Sequence, residues 1–332
     1  MKFLVIRFSS IGDIVLASPV FRTLKKQVMT AELHFLTKKS FAAVTQHNPY
    51  IDHFHYLDNN LDEVITTLKA EDFDYVIDLH NNFRSSKIRN ALGKKAFVID
   101  KLNLQKFLLT TARIDIMPGR HITQRSLDTV ASFGVKDDGL GLDYFLSEAD
   151  KIRDTDLPAA HHAGYIALVI GASYATKKLP VEKLIELCAQ IDHPLVLVGG
   201  KEDSAEGEAV SATDPVKIYN ACGKFTLNES ADIIRRSKLV ISNDTGLQYI
   251  ACAFNKQVIA LWGGTSPKLD VEPYYGSAGR SKEQYENRVL NLSCQPCSKY
   301  GNKHCPLGHF HCMRNMDTRS IAAAAMNRIG IG

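Results

Sequence analysis

What most limits the folds open to this chain is a repeated three-part unit: a short run of Val, Ile, Leu and Phe, a loop of small and polar residues, then apolar residues at helical spacing. The first copy runs from Lys2 to Phe8, turns through Ser9-Ser10-Ile11-Gly12-Asp13, and continues with Ile14, Val15, Val20, Phe21 and Leu24. That is strand, loop, amphipathic helix. Further strand-like runs follow at Leu33–Leu36, His53–Leu57, Tyr75–Leu79 and Ala96–Ile99. Strands that alternate with helices predict a mostly parallel sheet covered on both faces.

A polar stretch from Ser147 to His162 interrupts the alternation before a second series begins. Its strand-like runs are Tyr165–Ile170, Pro194–Val198, Val216–Tyr219, Leu239–Ser242 and Val258–Trp262. With 332 residues the chain is long enough for two cores. The expectation is an α/β protein of two doubly wound domains, residues 1–155 and 156–332. Ligands of such sheets bind at the carboxyl ends of the strands, so the strand-end loops are where chemistry is sought.

Asp13 opens the first helix at such an edge. Its carboxylate either faces a ligand crevice or completes a capping box with Ser10, and local sequence allows both. The loop has one glycine, Gly12, where a dinucleotide fingerprint needs three, and no P-loop pattern occurs, which argues against a nicotinamide oxidoreductase. In the second half, Gly171 to Pro180 supplies Ser173, Thr176 and Lys177 beside a flexible glycine, chemistry suited to a diphosphate. Ser242-Asn243-Asp244-Thr245-Gly246 precedes an apolar helical stretch whose free N–H groups suit the same anion. Gly199, Gly200 and Glu202 form a third strand-end loop, able to approach a ribose or base. An Asp-Thr-Asp at Asp154–Asp156 has the metal-diphosphate spacing but falls in the linker, so a metal-free mechanism is the expectation.

Forty Lys and Arg against 36 Asp and Glu leave a net charge of only +4, too little to argue for nucleic acid. Between Arg84 and Arg125, however, ten basic residues stand against two acidic ones. Mixed with Phe107, Leu108 and Leu109, they suit either solvated helix faces or an anionic membrane surface. Lys2, Arg7 and Asp13 break the apolar N-terminus, so a cytoplasmic protein is expected. Cys294, Cys297, Cys305 and Cys312 form one cluster with interleaved histidines, matching a structural zinc site or a disulfide staple.

Taken in order, the stretch Ile6 to Val15 with Pro19, the stretch Val76 to Ser85, the loop Gly171 to Pro180, and Asn243-Asp244-Thr245-Gly246 resemble glycosyltransferase family 9, the ADP-heptose:lipopolysaccharide heptosyltransferases. The resemblance implies a GT-B fold, two Rossmann-like domains facing a central cleft, with acceptor on the first and nucleotide-sugar on the second. It implies a final helix, near Ile321–Ile329, that returns to the first domain. It further implies inverting transfer of a heptose or related sugar from an ADP-sugar to a lipopolysaccharide core or other lipid-linked acceptor, no cofactor being required for catalysis. Asp13 becomes the general base, and Lys177 stabilises the departing diphosphate with Ser173, Thr176, Gly199, Gly200, Glu202, Asp244, Thr245, Gly246 and Tyr249 around the donor. The acceptor side comprises Ser10, Gly12, Asn81, Arg84, Arg120 and His121. Its partners are the nucleotide-sugar and an anionic lipid-linked saccharide at the cytoplasmic face of the inner membrane. Tyr249 stands where family members usually carry histidine, which motivates a competing reading as a non-catalytic nucleotide-sugar binder, a scaffold or sensor in envelope biosynthesis.

Overall fold

The computed structural model describes residues 1–276 and 283–330. Two compact units emerge, the first mainly Met1–Leu102 and Arg120–Phe145, the second mainly Asn103–Gly119, Leu146–Tyr275 and the C-terminal stretch. The main change of unit therefore falls at Phe145/Leu146, ahead of the 155/156 boundary read from the sequence. The polar linker has a reason to join the second unit. The Ile152 N–H donates to the buried Asp232 carboxylate at 3.1 Å, and Arg236 donates to the Ile152 carbonyl at 3.0 Å. Asp154 and Asp156 are paired with Arg236 and Arg153 in this same stretch.

In the first unit five parallel strands, β1 (Lys2–Ile6), β2 (Glu32–Lys38), β3 (His53–Leu57), β4 (Tyr75–Asp78) and β5 (Lys95–Val98), lie in the order β3-β2-β1-β4-β5. In the second, β6 (Ile166–Val169), β7 (Leu195–Val198), β8 (Ile218–Asn220), β9 (Leu239–Asn243), β10 (Val258–Leu261) and β11 (Tyr285–Arg288) are ordered β11-β10-β9-β6-β7-β8, again all parallel. The interior strands of the second sheet are buried along their whole length, and those of the first along most of it, as sheets covered on both faces require. Each sheet grows to one side, then returns to grow on the other, so the order reverses between β1 and β4 and between β6 and β9.

The final helix, Thr318–Arg328, falls in the second unit. Its alanine-rich face explains why: Ile321, Ala322 and Ala325 enter the core beside Leu184, Leu187 and Cys188 of the helix Val181–Gln190. Small side chains let the two helices approach closely. The Thr318 hydroxyl then donates to Glu186 at 2.6 Å, and Arg288 on β11 reaches Ser320.

One polar device fixes the first unit. Arg22, only 2% exposed, donates to both Asp138 oxygens at 2.8 Å, to the Gly141 carbonyl, and to Asp143. It ties the helix Ser18–Gln27 to the chain's return segment before the second unit. A buried guanidinium with every arm engaged leaves two uncompensated carboxylates when removed, at a cost of about 3–5 kcal/mol. Arg22→Leu is accordingly expected to lower the denaturation free energy by about that amount, and a loss below about 1 kcal/mol in chemical denaturation would show that the cluster is not structural.

Candidate active site

At the reversal point of the first sheet, the loops after β1 and β4 are joined by one side chain. Arg7 is buried among apolar neighbours, and its guanidinium donates to the carbonyls of Ser9 and Leu79 while lying 2.6 Å from Asp13 Oδ1. The other Asp13 oxygen accepts from the Ser10 N–H at 3.1 Å and from the Ser10 hydroxyl at 2.9 Å. Asp13 therefore caps the helix Ile11–Leu16 and still keeps 38% of its side chain open to solvent. Withdrawal from water raises its pKa, but the Arg7 charge and the Ser10 hydrogen bonds outweigh this and hold the carboxyl at about 2. It is ionised throughout the neutral range.

Beside this carboxylate, burial, reinforced by the Arg7 and Lys101 charges, lowers His80 to about 3, so its ring is neutral, with Nδ1 buried and unpaired. Asn81, at φ 45°, sits in the left-handed region that asparagine tolerates, its N–H bonded to Asp78 and its side-chain amide to the Ile99 carbonyl. Arg84 is exposed and lines a pocket of about 410 Å³ with Lys38, Lys39, Ser40 and Asn59, at the carboxyl ends of β2 and β3. Arg120 forks onto Asp128, and His121 accepts the Thr123 N–H at the start of a helix. Much of the basic stretch is likewise spent on pairs, Lys87 with Asp62, Arg89 with Asp78 and Lys94 with Asp72.

The second sheet's reversal point gathers the donor-side residues. Lys177 Nζ lies 2.8 Å from Asp244 Oδ2, both largely buried, and the Thr265 hydroxyl after β10 donates to that same oxygen at 2.7 Å. Asn243 joins the loops further: its amide donates to the Ile170 carbonyl, and its oxygen accepts the Leu179 N–H. The loop after β7 is drawn in by Asp203, which accepts the Gly200 N–H at 2.8 Å and pairs with Lys178. A Cβ on Gly171 would stand 2.3 Å from that Asp203 carboxylate, so glycine is required there. Thr245 and Gly246 begin the helix Gly246–Ala253 with no side-chain cap, and its first amides lie at the same strand end. Ser173 and Glu202 are exposed on their loops. Tyr249 is buried, and its hydroxyl donates to the Val271 carbonyl at 2.7 Å.

Thr176 leads to the cysteine-rich segment. Its hydroxyl accepts the Asn302 N–H at 2.7 Å, its backbone N–H donates to the Asn302 carbonyl, and its carbonyl accepts the Gly264 N–H. Gly301, at φ 104°, packs where any Cβ would strike the Tyr174 and Lys177 side chains. The Gly264 carbonyl also accepts the Cys297 N–H at 3.0 Å. All seven cysteines are free thiols in the structure. Cys294, Cys297, Cys305 and Cys312 are near enough to act on one another's ionisation. Burial raises the Cys312 thiol to about 12, and the neighbouring sulfurs of Cys297, Cys305 and Cys294 push it the same way. Cys294 Sγ is 3.8 Å from His309 Nε2. Thiols and imidazoles are ligand types that a soft or borderline dication takes, but among the described residues the groups whose ligand atoms close to within 4.8 Å of one another lie around β2 and β3, not here.

Sequence reasoning missed Arg7, His80, Lys178, Asp203 and Asn302. Arg7 alone carried a signal, being a cation at the end of an apolar strand that demands a partner.

A family model described as glycosyltransferase family 9 (heptosyltransferase) matches residues 62–307. The lipopolysaccharide heptosyltransferase 1 of Campylobacter coli is 25% identical over 290 residues, spanning 80% of this chain and 84% of that protein. Among solved structures, the glycosyl transferase family 9 protein from Veillonella parvula is similar with a TM-score of 0.78 at 20% identity, over 99% of this chain and 97% of its own. The E. coli heptosyltransferase WaaC with ADP is similar with a TM-score of 0.71 at 17% identity, over 99% of this chain and all of its own. The structural likenesses identify the two-sheet architecture as GT-B, and with the family model spanning most of its length, the chain belongs to glycosyltransferase family 9 and is a transferase.

Proposed function

We propose that this enzyme moves a heptose, or a related sugar, from an ADP-sugar to a hydroxyl of an anionic lipid-linked saccharide of the lipopolysaccharide-core class, inverting the anomeric carbon without a catalytic metal. The observation that carries the reading is the Lys177–Asp244 pair at the reversal point of the second sheet, flanked by the amides of the helix Gly246–Ala253. Fixed ammonium and amide dipoles at one strand end are what a departing diphosphate needs. The WaaC neighbour with ADP supports the nucleotide, and the Campylobacter coli heptosyltransferase supports the sugar and acceptor class.

In this reading the acceptor oxygen bonds to the anomeric carbon as the bond from that carbon to the β-phosphate oxygen breaks. The electron pair leaves with ADP, beside Lys177, and the hydroxyl proton passes to Asp13. With a pKa of about 2, Asp13 is a weak base, and it takes that proton late, once the new bond has made the hydroxyl acidic. Arg7 keeps it ionised and aimed. Thr176 works indirectly, holding the Lys177 loop, and Tyr249 serves packing. Lys38, Lys39 and Arg84 around the pocket of the first unit suit an acidic sugar or phosphate. No helix among the described residues is long and apolar enough to cross a membrane. Leu104, Phe107, Ile114 and Ile116 are each more than half exposed beside Lys106 and Arg113, which supports a cytoplasmic enzyme resting on the inner membrane. The four clustered cysteines would hold a structural zinc that tethers the Asn302 segment and, through it, the Lys177 loop. The binder-only reading leans on Tyr249, while the engaged Asp13 and Lys177 count against it.

Three outcomes are expected. Asp13→Ala should lose about 10²–10⁴-fold in kcat while ADP affinity measured by calorimetry stays level; a fully active variant would remove Asp13 from the chemistry. Because the folded pKa lies below the ordinary carboxylate value, the ionised state and its stabilising pairing persist above about pH 4 and fade only as pH falls towards 2. The kcat/KM profile should thus carry no acid limb from Asp13 between about pH 8 and about pH 5, and a limb centred near pH 6 would name another base. Finally, Cys297→Ser should abolish one bound zinc, lower Tm and weaken ADP binding together; unchanged ADP affinity would separate the thiol cluster from the donor site.

A further inference from the structure

Far from these loops in sequence, β2 and β3 bring three histidines and a glutamate onto one face. Glu32 and His34 are two apart on β2, as are His53 and His55 on β3, so each pair points to the same side. The parallel register sets His34 directly opposite His53. Glu32 Oε1 lies 3.1 Å from His34 Nε2 and 3.3 Å from His53 Nε2, and the two imidazoles sit with centroids 4.4 Å apart. One ligand atom from each of Glu32, His34 and His53 falls within 4.8 Å of the others.

We propose that Glu32, His34 and His53 form a binding site for a borderline divalent transition-metal ion, with Zn²⁺ as its natural probe. Two imidazole nitrogens and a carboxylate oxygen are a standard zinc donor set, and at bond lengths near 2.0–2.1 Å the edge of a tetrahedral site is about 3.3 Å. The two distances to Glu32 already match that edge. His34 is the anchor: it is 1% exposed, its ring packed edge-on against Phe73, and its Nδ1 lies 2.9 Å from His55 Nε2. A hydrogen bond on the far nitrogen is the arrangement that fixes a ligating histidine's tautomer and orientation. His53 and Glu32 are exposed enough to admit an ion from solvent. The site would fasten β3, the edge strand of its sheet, to β2. One group competes. Lys2 Nζ stands 3.7 Å from the same Glu32 oxygen and 3.5 Å from Glu71, and an incoming dication would displace it from Glu32.

The test is equilibrium dialysis of Zn²⁺ against reduced, metal-free full-length protein. His53→Ala, at an exposed position that leaves folding intact by circular dichroism, should lose one zinc per chain, or weaken it at least tenfold, and lose the zinc-dependent rise in Tm. Cys297→Ser should keep that zinc, which separates this site from the thiol cluster. Lys2→Met should bind several-fold more tightly. Equal stoichiometry and affinity in His53→Ala and wild type, or zinc lost only with the cysteine, would overturn the proposal. Unchanged or weaker binding in Lys2→Met would overturn Glu32 as a ligand.

Discussion

In a parallel sheet every connection must cross a face before the next strand begins, and where the chain stops adding strands on one side and starts on the other, two adjacent strand-end loops diverge. A notch opens at that point, lined by backbone N–H groups and helix N-termini. Both sheets here have one such reversal, at β1/β4 and at β6/β9. Each notch holds a charged pair of opposite design. In the first, a buried arginine fixes a carboxylate that reaches solvent; in the second, a buried carboxylate fixes a lysine.

In the transfer proposed above, the two pairs would divide the electrostatic labour. Asp13 is negative and hydrogen-bonded before any acceptor arrives, so its position needs no reorganisation at the moment of reaction. Lys177 is held by Asp244, which also takes the Thr265 hydroxyl, so the ammonium is aimed by a group that is itself fixed. Around it, Asn243, Asp203 and Asn302 stitch together four loops. The cysteine-rich segment, which from its sequence looks remote from the chemistry, becomes the outer wall of the donor loop through Thr176 and Gly264.

Much of this was legible in the sequence because burial on both sheet faces writes near-continuous apolar runs. Ten of the eleven described strands fall on runs that the sequence marks as strands, although the edge strand β3 alternates histidine with aromatic residues instead of running continuously apolar. The exception, β11, reads Tyr285-Glu286-Asn287-Arg288 and pairs only at the sheet edge, where polar side chains are tolerated. Asp13, Lys177 and Asp244 were legible as strand-end residues. Several contacts around them were not, since Arg7 meeting Leu79, Lys178 meeting Asp203 and Thr176 meeting Asn302 depend on which loops the strand order makes adjacent. The same holds for the Lys38 and Lys39 pocket and for the His34–His53 pairing, which only the register creates.

The central claim is that the reversal point of the second sheet binds the diphosphate through Lys177. Calorimetric titration of ADP into the wild-type enzyme and into Lys177→Ala tests it most directly. A charge-assisted contact of about 1.5–3 kcal/mol corresponds to roughly a tenfold to hundredfold weaker Kd in the variant, with the wild type preferring ADP over UDP and GDP. Equal ADP affinity in the two proteins, with both folded, would contradict the account.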